Sequence, residues 1–280
     1  MVVHVCDGGG VVCWFFRLRV PIQAKGCEPM AAEIVKACIN LHAVLRNLED
    51  LCQLDPMSRE IIQGKNVALK FSVAGITKSV ITFSEGKCRA VKGDGPCSIN
   101  LYFSSPRNFN LMIDGKKNPI PTKGFQHIGF LKNEFTKLAD RLSYYLKPTA
   151  ELLGDKEYAR INTILTAYTA FFAIPEIANC DPLGQLNASR IADGAINVEV
   201  VDGPAISITA KGGRLETRKG KAANARAFMI FDSIATASGI LNGTLDSYSC
   251  IGEGRLSISG FVPMIDNLNK ILAQVPGYLM

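Results

Sequence analysis

Two glycine-rich turns have the residue types that could hold a phosphate group. They are Gly93-Asp94-Gly95 and Gly212-Gly213. A dinucleotide-binding fingerprint needs three spaced glycines that follow a strand and open a helix, so that the backbone N–H groups reach the pyrophosphate. Both turns are flanked by predicted strands on either side, and hairpin geometry is enough to explain their glycines. The sequence therefore predicts no nucleotide cofactor.

The histidines and cysteines do not have the spacing of a metal site. His4, His42 and His127 are far apart and have no Asp or Glu at ligand spacing. The nine cysteines include no Cys-x-x-Cys pair, and Cys38 and Cys52 fall where a helix would bury them. An odd, scattered set favours free thiols in a reducing compartment over a disulfide framework or zinc site. We expect no metal, and a cytoplasmic protein.

Motifs of common enzymes are missing from the sequence. It has no P-loop, no Gly-x-Ser-x-Gly elbow and no His-Glu-x-x-His. The carboxylates are spread out, and Asp114 and Asp246 lie beside glycines, where they serve turns. We therefore expect a protein that is not an enzyme and has no catalytic residue.

The charge is mildly positive. The chain of 280 residues carries 31 Lys and Arg against 25 Asp and Glu, a net charge of +6. This balance favours solubility, with weak attraction to an anionic lipid surface as the alternative. No dense basic run or aromatic-basic stripe indicates nucleic acid, so we expect none as a partner. We interpret Arg214, Arg218, Lys219 and Lys221 as a solvated hairpin that at most touches a lipid headgroup transiently.

A weak internal repeat organises the elements that would position any site. Leu69, Phe71 and Val73 alternate with polar or small residues, and Ile196, Val198 and Val200 do so 127 residues later. An ordered series of such matches indicates a shared succession of strands, turns and helices. The further matches are Gly86 with Gly213, Gly93 with Gly220, Phe103 with Phe231, Gly115 with Gly243, Gly129-Phe130 with Gly260-Phe261, Leu138 with Leu268, and Leu142 with Leu272.

Periodicity predicts helices on one side of the strands in each copy. In the first copy an amphipathic helix covers Ala31 to Leu54, a short one follows Ser105, and a closing one covers Lys132 to Leu146. Between the copies, Ala150 to Ala178 is helical but is interrupted by Pro175, which favours a buried helix over a membrane span. The predicted strands of the first copy are Val67 to Val73, Ser79 to Phe83, Lys87 to Val91, Ser98 to Phe103, and one around Phe125 to Phe130.

The length suggests about two domains. We predict a first module over residues 30–148, a helical bridge over 149–184 and a second module over 185–280. Residues 1–29 do not resemble the rest of the chain, and their charges come after the apolar patch, unlike those of a signal peptide. Two explanations stay open for them: an extension upstream of a true start at Met30, or a poorly ordered or edge-strand tail.

The ordered motifs of the first module resemble the sterol carrier protein family, the non-specific lipid-transfer proteins. The motifs are the hairpin Ser79-Val-Ile-Thr-Phe-Ser-Glu-Gly86, the strand ending Leu101-Tyr-Phe-Ser104, a short helix ending Asp114-Gly115, and Gly129-Phe-Leu before a helix. The resemblance covers Met30 to Leu279, more loosely in the second half, and is closest to bacterial two-module forms. The usual single module and C-terminal peroxisomal tripeptide are not matched, since the chain ends Tyr278-Leu279-Met280.

The resemblance implies an α+β fold with two tandem modules. Each would be a five-stranded, mainly antiparallel sheet packed against helices, with a hydrophobic tunnel for a sterol, fatty-acyl or phospholipid chain. Burial of such a chain contributes about 0.8 kcal/mol per CH₂ group. The tunnel-lining candidates are Phe103, Phe109, Met112, Phe130, Phe135 and Leu138 in the first module, and Phe231, Ile240, Leu241, Phe261, Met264 and Leu268 in the second.

Three functions stay open from the sequence. The first is non-enzymatic binding or transfer of an apolar lipid. The second is a structural or interaction protein whose modules are filled by their own side chains. The third is an enzyme or accessory subunit for acyl substrates, which a deep pocket with a strongly perturbed carboxylate or cysteine would favour. The ligand's identity, the use of one or both modules and the oligomeric state are left open.

Overall fold

A computed structural model describes residues 29–279 of the chain. The predictions for the N-terminal segment, apart from its last residue Pro29, and for His4 therefore lie outside the described residues. Within the described part, two five-stranded sheets are covered by helices. The α+β class expected from the sequence is the observed one.

The first sheet has the strand order β3-β2-β1-β4-β5. Strands β1 and β4 pair in parallel, while the other neighbours are antiparallel. The sheet is thus mixed, whereas the sequence predicted a mainly antiparallel one. Its strands are β1 (Val67–Val73), β2 (Ser79–Ser84), β3 (Lys87–Lys92), β4 (Ile99–Phe103) and β5 (Pro121–Lys123).

The parallel pair arises because the chain leaves β3 on one edge and re-enters the sheet beyond β1. The loop around Gly93-Asp94-Gly95 makes this crossing, and the Asp94 carboxylate accepts hydrogen bonds from Lys70 at 3.1 Å and Lys78 at 2.5 Å. Lys70 points away from the side that buries Leu69 and Phe71, because side chains alternate along a strand. The hairpin predicted for Gly93–Gly95 is therefore wrong, and the segment is a crossover.

The second sheet repeats the order and directions of the first. It runs β10-β9-β6-β7-β8, with β6 and β9 parallel. Gly212-Gly213 forms the hairpin between β7 and β8, as the sequence predicted. The strands are β6 (Gly194–Val200), β7 (Ala205–Lys211), β8 (Arg214–Lys219), β9 (Ala225–Phe231) and β10 (Leu256–Gly260).

The fifth strand of the first sheet lies earlier than predicted. Strand β5 ends at Lys123, and Gly124 then turns the chain with a φ of +87°. The segment Phe125 to Phe130 is helical, so the strand predicted there is wrong. Its apolar residues suit a strand by composition, but the left-handed turn at Gly124 ends the extended backbone before them.

Most helices of the first part of the chain contribute to the core of the first sheet, whereas Val35 and Ile39 of the first helix lie in the core of the second sheet. The predicted helix of Ala31 to Leu54 is helical throughout but contains a π-helical turn at Asn40–Val44 and a 3₁₀ turn at Leu45–Asn47. A second π-helical turn, Leu131–Phe135, interrupts the closing helix. The helices are α1 (Pro29–Ile39), α2 (Leu48–Leu54), α3 (Pro56–Ile61), α4 (Pro106–Ile113), α5 (Ile128–Phe130) and α6 (Thr136–Leu146).

Helix α7 (Lys156–Cys180) joins the two halves. Its early residues, such as Ile161 and Leu165, lie in the core of the first sheet, while Phe171 and Ile174 lie in the core of the second. Within residues 29–279 it is the one helix long and apolar enough to cross a membrane, and 83% of its apolar window is buried in the protein. The later helices are α8 (Pro182–Ala188), α9 (Ile234–Leu241), α10 (Ser247–Gly252), α11 (Val262–Leu272) and α12 (Val275–Leu279).

We call the first sheet with α1–α6 the first module and the second sheet with α8–α12 the second module, by their order in the chain, although Val35 and Ile39 of α1 lie in the core of the second sheet.

Candidate functional site

Three of the first-module lining candidates form one aromatic cluster above the sheet. Phe109 of α4 lies 5.2 Å from Phe103 and 6.2 Å from Phe71, measured between ring centres. Phe135, in the second π-helical turn, lies 6.1 Å from Phe71. The rings meet edge-on or tilted, which is the favourable geometry for aromatic pairs. We call these four rings the aromatic cluster.

The other first-module candidates surround this cluster at different depths. Leu138 is fully buried, and Phe130 packs on Phe83 with ring centres 5.3 Å apart. Met112 is only partly buried, as is Ile113 beside it. The structure thus brings all six predicted residues into one core, with the end of α4 forming its partly exposed cover.

Five of the six second-module candidates are likewise brought together. Phe231, Ile240, Leu241, Met264 and Leu268 are all buried in the core of the second sheet. Phe261 is not among them, because its ring is 42% exposed and lies under the guanidinium of Arg226, 5.1 Å from the ring centre. The structure thus places Phe261 at the surface, apart from the buried set.

The position of Phe261 has a counterpart that the sequence analysis missed. Gly260-Phe261 follows the edge strand β10, and Gly124-Phe125 follows the edge strand β5. Both glycines have positive φ, and a Cβ on either would strike the backbone of the adjacent strand. Phe125 is 61% exposed. The correct partner of Gly260-Phe261 is therefore Gly124-Phe125, not Gly129-Phe130; the signal was a Gly-Phe pair after an edge strand.

The covers of the two cores differ. In α9, a Cβ on Gly239 would strike the side chain of Leu245, so that Leu245 seals this end of the second module. Ile240 and Leu241 are buried beneath it, whereas Met112 and Ile113 of the first module stay partly exposed. The first module is therefore the one whose apolar core comes closer to the surface.

A polar interface lies between the two modules. Lys92, at the end of β3, donates to Glu176 of α7 at 2.5 Å. Lys219, at the end of β8, donates to Glu49 at 2.8 Å and Asp50 at 2.6 Å on α2. Burial would raise the pKa of Glu49, but the hydrogen bonds from Ala90 N–H and Lys219 outweigh it and lower that pKa. Burial raises the pKa values of Asp50 and Glu176 against the opposing effect of their lysines.

At the centre of this interface Arg46 stacks on Phe172. The guanidinium carbon lies 3.7 Å from the ring centre, a close cation–π contact. Arg46 also reaches Asp50 at 3.4 Å. Asp55-Pro56 and Asp181-Pro182, each capping the next helix, stand 126 residues apart, as Arg46 and Phe172 do. The two contacting residues thus hold corresponding positions, as residues beside a local two-fold axis would.

A cavity of about 220 Å³ opens at this interface, with Thr217 of β8 and Ala90 of β3 both in its lining. His42, in the first π-helical turn, faces it and is 5% exposed. Burial, and then the charge of Lys92, lowers the pKa of His42 to about 3, against the backbone of Thr77, which lies close enough to the ring to oppose the shift. The Thr77 backbone is outside good hydrogen-bond geometry, and neither ring nitrogen has another partner among the described residues. The lining also includes Arg46, Lys92, Phe172, Pro175, Glu176 and Thr217.

Glu176 lines this cavity, and burial raises the pKa of its carboxyl group. A carboxylate with a shifted pKa in a pocket is the feature that the sequence analysis named as favouring an enzyme for acyl substrates. The carboxylate of Glu176 is held by Lys92 in an ion pair, and structural ion pairs perturb pKa values as catalytic ones do. The two hydroxyl groups of the lining are engaged elsewhere, since Ser79 donates to the carbonyl of Val91 and Thr217 to the carbonyl of Phe171.

Two cysteine pairs flank the interface. Cys52 and Cys88 are buried together, and hydrogen bonding with Cys52 and burial raise the pKa of Cys88. Cys38 lies beside Cys180, whose exposed thiol has its pKa lowered to about 7 by the hydrogen bond with Cys38. In the described part of the chain, no group of three or more His, Cys, Asp or Glu is arranged to hold a metal ion.

Comparison with known proteins gives only distant structural likenesses. No family model matches the chain, and no curated protein does. A structure titled "UbiJ-SCP2 Ubiquinone synthesis protein" matches 38% of this chain and 91% of its own at 16% identity, with a TM-score of 0.29. The sterol carrier protein domain 2 of Helicoverpa armigera is matched over 40% of this chain and 89% of its own length, at 16% identity and with a TM-score of 0.32. An inverting sec-alkylsulfatase of a Pseudomonas species is matched over 52% of this chain and 29% of its own length, at 14% identity and with a TM-score of 0.24.

Proposed function

We propose that the protein binds or transfers an apolar lipid, without catalysis, and that the first module holds the lipid chain. The observation that carries the proposal is the partly exposed cover of its core. Met112 and Ile113 stand between solvent and the aromatic cluster, whereas the corresponding Ile240 and Leu241 are sealed. An apolar chain that enters under α4 would contact Phe109 and Phe135 first.

Two further features support the first module as the binding module. Phe135 belongs to a π-helical turn, a local defect that is frequent at functional sites and eases rearrangement of a helix. The cover helix α4 is held to α1 by polar contacts of Asn110, which donates to the carboxylate of Glu33 at 2.6 Å and accepts from Asn40 at 3.1 Å. These hydrogen bonds are directional and costly to break where they are buried, so they hold α4 in place over the core while Met112 and Ile113 at its end stay partly exposed.

The exposed rings of Phe125 and Phe261 fit a transient contact with a lipid surface. Each stands at the same place after an edge strand, beside a basic residue: Lys123 for Phe125 and Arg226 for Phe261. An aromatic ring with a neighbouring cation suits the membrane interface, where one end is apolar and the other wet. A protein that collects a lipid from a membrane needs such a contact only briefly.

The alternative is an interaction protein without a ligand. It is favoured by the way the aromatic cluster fills its own space, since Phe71 and Phe109 are fully buried among other side chains. On this hypothesis the two modules serve to present surfaces to a partner, and Met112 is part of the core.

Native mass spectrometry of the purified protein separates the two functions. We expect a bound acyl lipid that is lost on Met112→Trp, since the larger ring would fill the entrance beneath α4. Met57→Trp is the matched control, because Met57 is exposed on α3 and is not part of the apolar core of the first sheet. A protein that carries no lipid and takes up no fluorescent fatty acid would overturn the lipid proposal in favour of the interaction protein.

A further inference from the structure

The two sides of the local two-fold axis are filled differently. A carboxylate occupies one side, and a cavity occupies the corresponding place on the other. On one side the carboxylate of Glu49 accepts from the backbone N–H of Ala90 at 3.0 Å and from Lys219 at 2.8 Å. The ring of Tyr168 lies alongside, 5.1 Å from the Lys219 ammonium. A partly buried carboxylate, an edge-strand N–H and a lysine thus close this side.

On the other side the corresponding carboxylate is missing. The residue 126 positions after Glu49 is Pro175, which carries no polar group, and the cavity of about 220 Å³ lies there. The residues 127 positions after Ala90 and before Lys219 are Thr217 and Lys92, and both line the cavity. Lys92 and Thr217 thus repeat Lys219 and Ala90, but no counterpart of the Glu49 carboxylate lies between them.

The edge strand offers its donor to this cavity. Leu215 N–H donates to the side-chain oxygen of Asn179 at 3.2 Å, so this side of β8 faces α7. Backbone donors alternate along an antiparallel edge strand, and Thr217, two residues on, directs its N–H the same way. Ala90 N–H makes the equivalent bond to Glu49 on the filled side.

His42 supplies an independent sign that a ligand is received here. Its ring is 5% exposed and faces the cavity, and apart from the nearby backbone of Thr77 its nitrogens have no hydrogen-bond partner among the described residues. Burying a polar group without a partner costs its desolvation free energy, so such a group marks a site for water, an ion or a ligand. A neutral imidazole can donate one N–H to an oxygen anion.

We propose that this cavity binds the carboxylate of a small organic acid in the place that Glu49 occupies across the axis. Lys92 and the N–H of Thr217 would donate to it, and His42 would add its single N–H by turning it from the backbone of Thr77 to the bound carboxylate. Arg46 lines the cavity as a second cation, and Glu176 remains paired with Lys92, so that the lysine would hold two carboxylates as Lys219 does. Drug-sized ligands fill cavities of about 300–1,000 Å³, so the smaller volume here suits an acid of a few carbon atoms.

The test is an NMR titration of the full chain with acetate, against chloride at the same ionic strength. We expect saturable shifts of the Thr217 amide and the His42 ring with acetate only. Pro175→Glu would place a carboxylate where Glu49 has one and should weaken acetate binding at least tenfold. Pro175→Ala is the matched control, because it also removes a proline from within α7 but leaves the cavity open.

Lys92→Met should also weaken acetate binding at least tenfold, while leaving the fold readable in the same spectra. No saturable shift, equal shifts with chloride, or equal acetate binding by Pro175→Glu and Pro175→Ala would each overturn the proposal. The site does not depend on lipid binding, since none of its residues belongs to the aromatic cluster. Loss of one activity would therefore leave the other measurable.

Discussion

Lys92 and Lys219 end the third strand of their sheets, 127 residues apart, and each donates to carboxylates on the helix that precedes the other sheet. Lys92 holds Glu176 of α7, and Lys219 holds Glu49 and Asp50 of α2. Together with Arg46 on Phe172, these crossed pairs lock the two modules together. The pairs are unequal, because Lys219 is less exposed than Lys92 and has two acids to balance.

We therefore expect Lys219→Met to destabilise the protein more than Lys92→Met. Removing Lys219 leaves the largely buried Asp50 without its nearest cation, and breaking a buried pair on one side costs about 3–5 kcal/mol. Arg46 still compensates part of the charge, so the lower end of that range is expected. Urea unfolding of both variants measures the difference. Lys78→Met, which breaks an exposed pair with Asp94, is the control and should cost under about 1 kcal/mol. A Lys219→Met protein as stable as that control would show that the ion pairs of Lys219 do not hold the two modules together.

His42 makes stability depend on pH. Burial lowers its folded-state pKa from 6.5 to about 3. Between these values the unfolded chain takes up a proton that the folded protein refuses, so stability falls as the pH falls through this window. The slope contributed is at most about 1.4 kcal/mol per pH unit.

The variant His42→Phe should remove that part of the slope. The comparison is sharpest between pH 6.5 and 5, above the range where ordinary carboxyl groups titrate. The measurement is the free energy of unfolding at several pH values in this interval. His127→Phe, at a partly exposed position, serves as the control. If His42→Phe kept the full acid sensitivity of the wild type, His42 would not be buried in its neutral form.

How far the sequence predicts this architecture depends on the range of the contacts involved. Alternation at Leu69, Phe71 and Val73 predicted strand β1 because it is a local consequence of one buried face. The fifth strand was misplaced because β5 has only three residues and little apolar character. Its end is set by the positive φ of Gly124, which the sequence pattern does not show. A mixed sheet needs the direction of the crossover at Gly93–Gly95, which no local pattern contains.

The interface was out of reach of the sequence for a different reason. Lys219 and Glu49 are 170 residues apart and meet only when both sheets are formed. A usable signal did exist, because Asp55-Pro56 and Asp181-Pro182 extend the repeat into the helices before each sheet. With that register, Pro175 falls opposite Glu49, and the missing carboxylate can be recognised in the sequence.

The turn at Gly124 gives a test of the corrected pairing. Its φ is +87°, and a Cβ would strike the backbone of Ser98. We expect Gly124→Ala to destabilise the protein by more than about 1 kcal/mol, the cost of a strained left-handed residue before any displacement of β4 is added. Gly129→Ala is the matched control, because Gly129 is helical and its Cβ would meet nothing. That substitution should be neutral or stabilise by up to about 1 kcal/mol. Thermal unfolding of the two variants measures the difference, and equal effects would contradict the pairing of Gly124-Phe125 with Gly260-Phe261.

Cys180 should be the most reactive thiol among the described cysteines. It is exposed, and the hydrogen bond with Cys38 lowers its pKa to about 7, so about half of it is thiolate at neutral pH. We expect iodoacetamide to label Cys180 before Cys97, and before the buried Cys52, Cys88 and Cys250. Peptide mapping by mass spectrometry over a pH series gives the rates. In Cys38→Ala the largest cause of the lowered pKa is gone, so the midpoint of the labelling rate should move up towards the ordinary thiol value of 9.0. An unchanged midpoint would show that Lys92 and Arg214, not Cys38, set the reactivity.

The filled side of the interface provides a last prediction, because it is the natural counterpart of the empty one. Glu49→Ala removes the carboxylate that joins Ala90 N–H and Lys219, and leaves a cavity of the kind seen beside Pro175. The variant should be less stable, and acetate should restore part of the lost stability in proportion to the logarithm of its concentration, as for any ligand that binds only the folded state. Chloride at equal ionic strength is the control for salt effects, and Glu49→Gln, which keeps the side-chain volume, should gain little from acetate. Thermal unfolding across an acetate series measures the recovery. If acetate stabilised Glu49→Ala no more than Glu49→Gln, the backbone N–H and lysine would not by themselves select a carboxylate on either side of the axis.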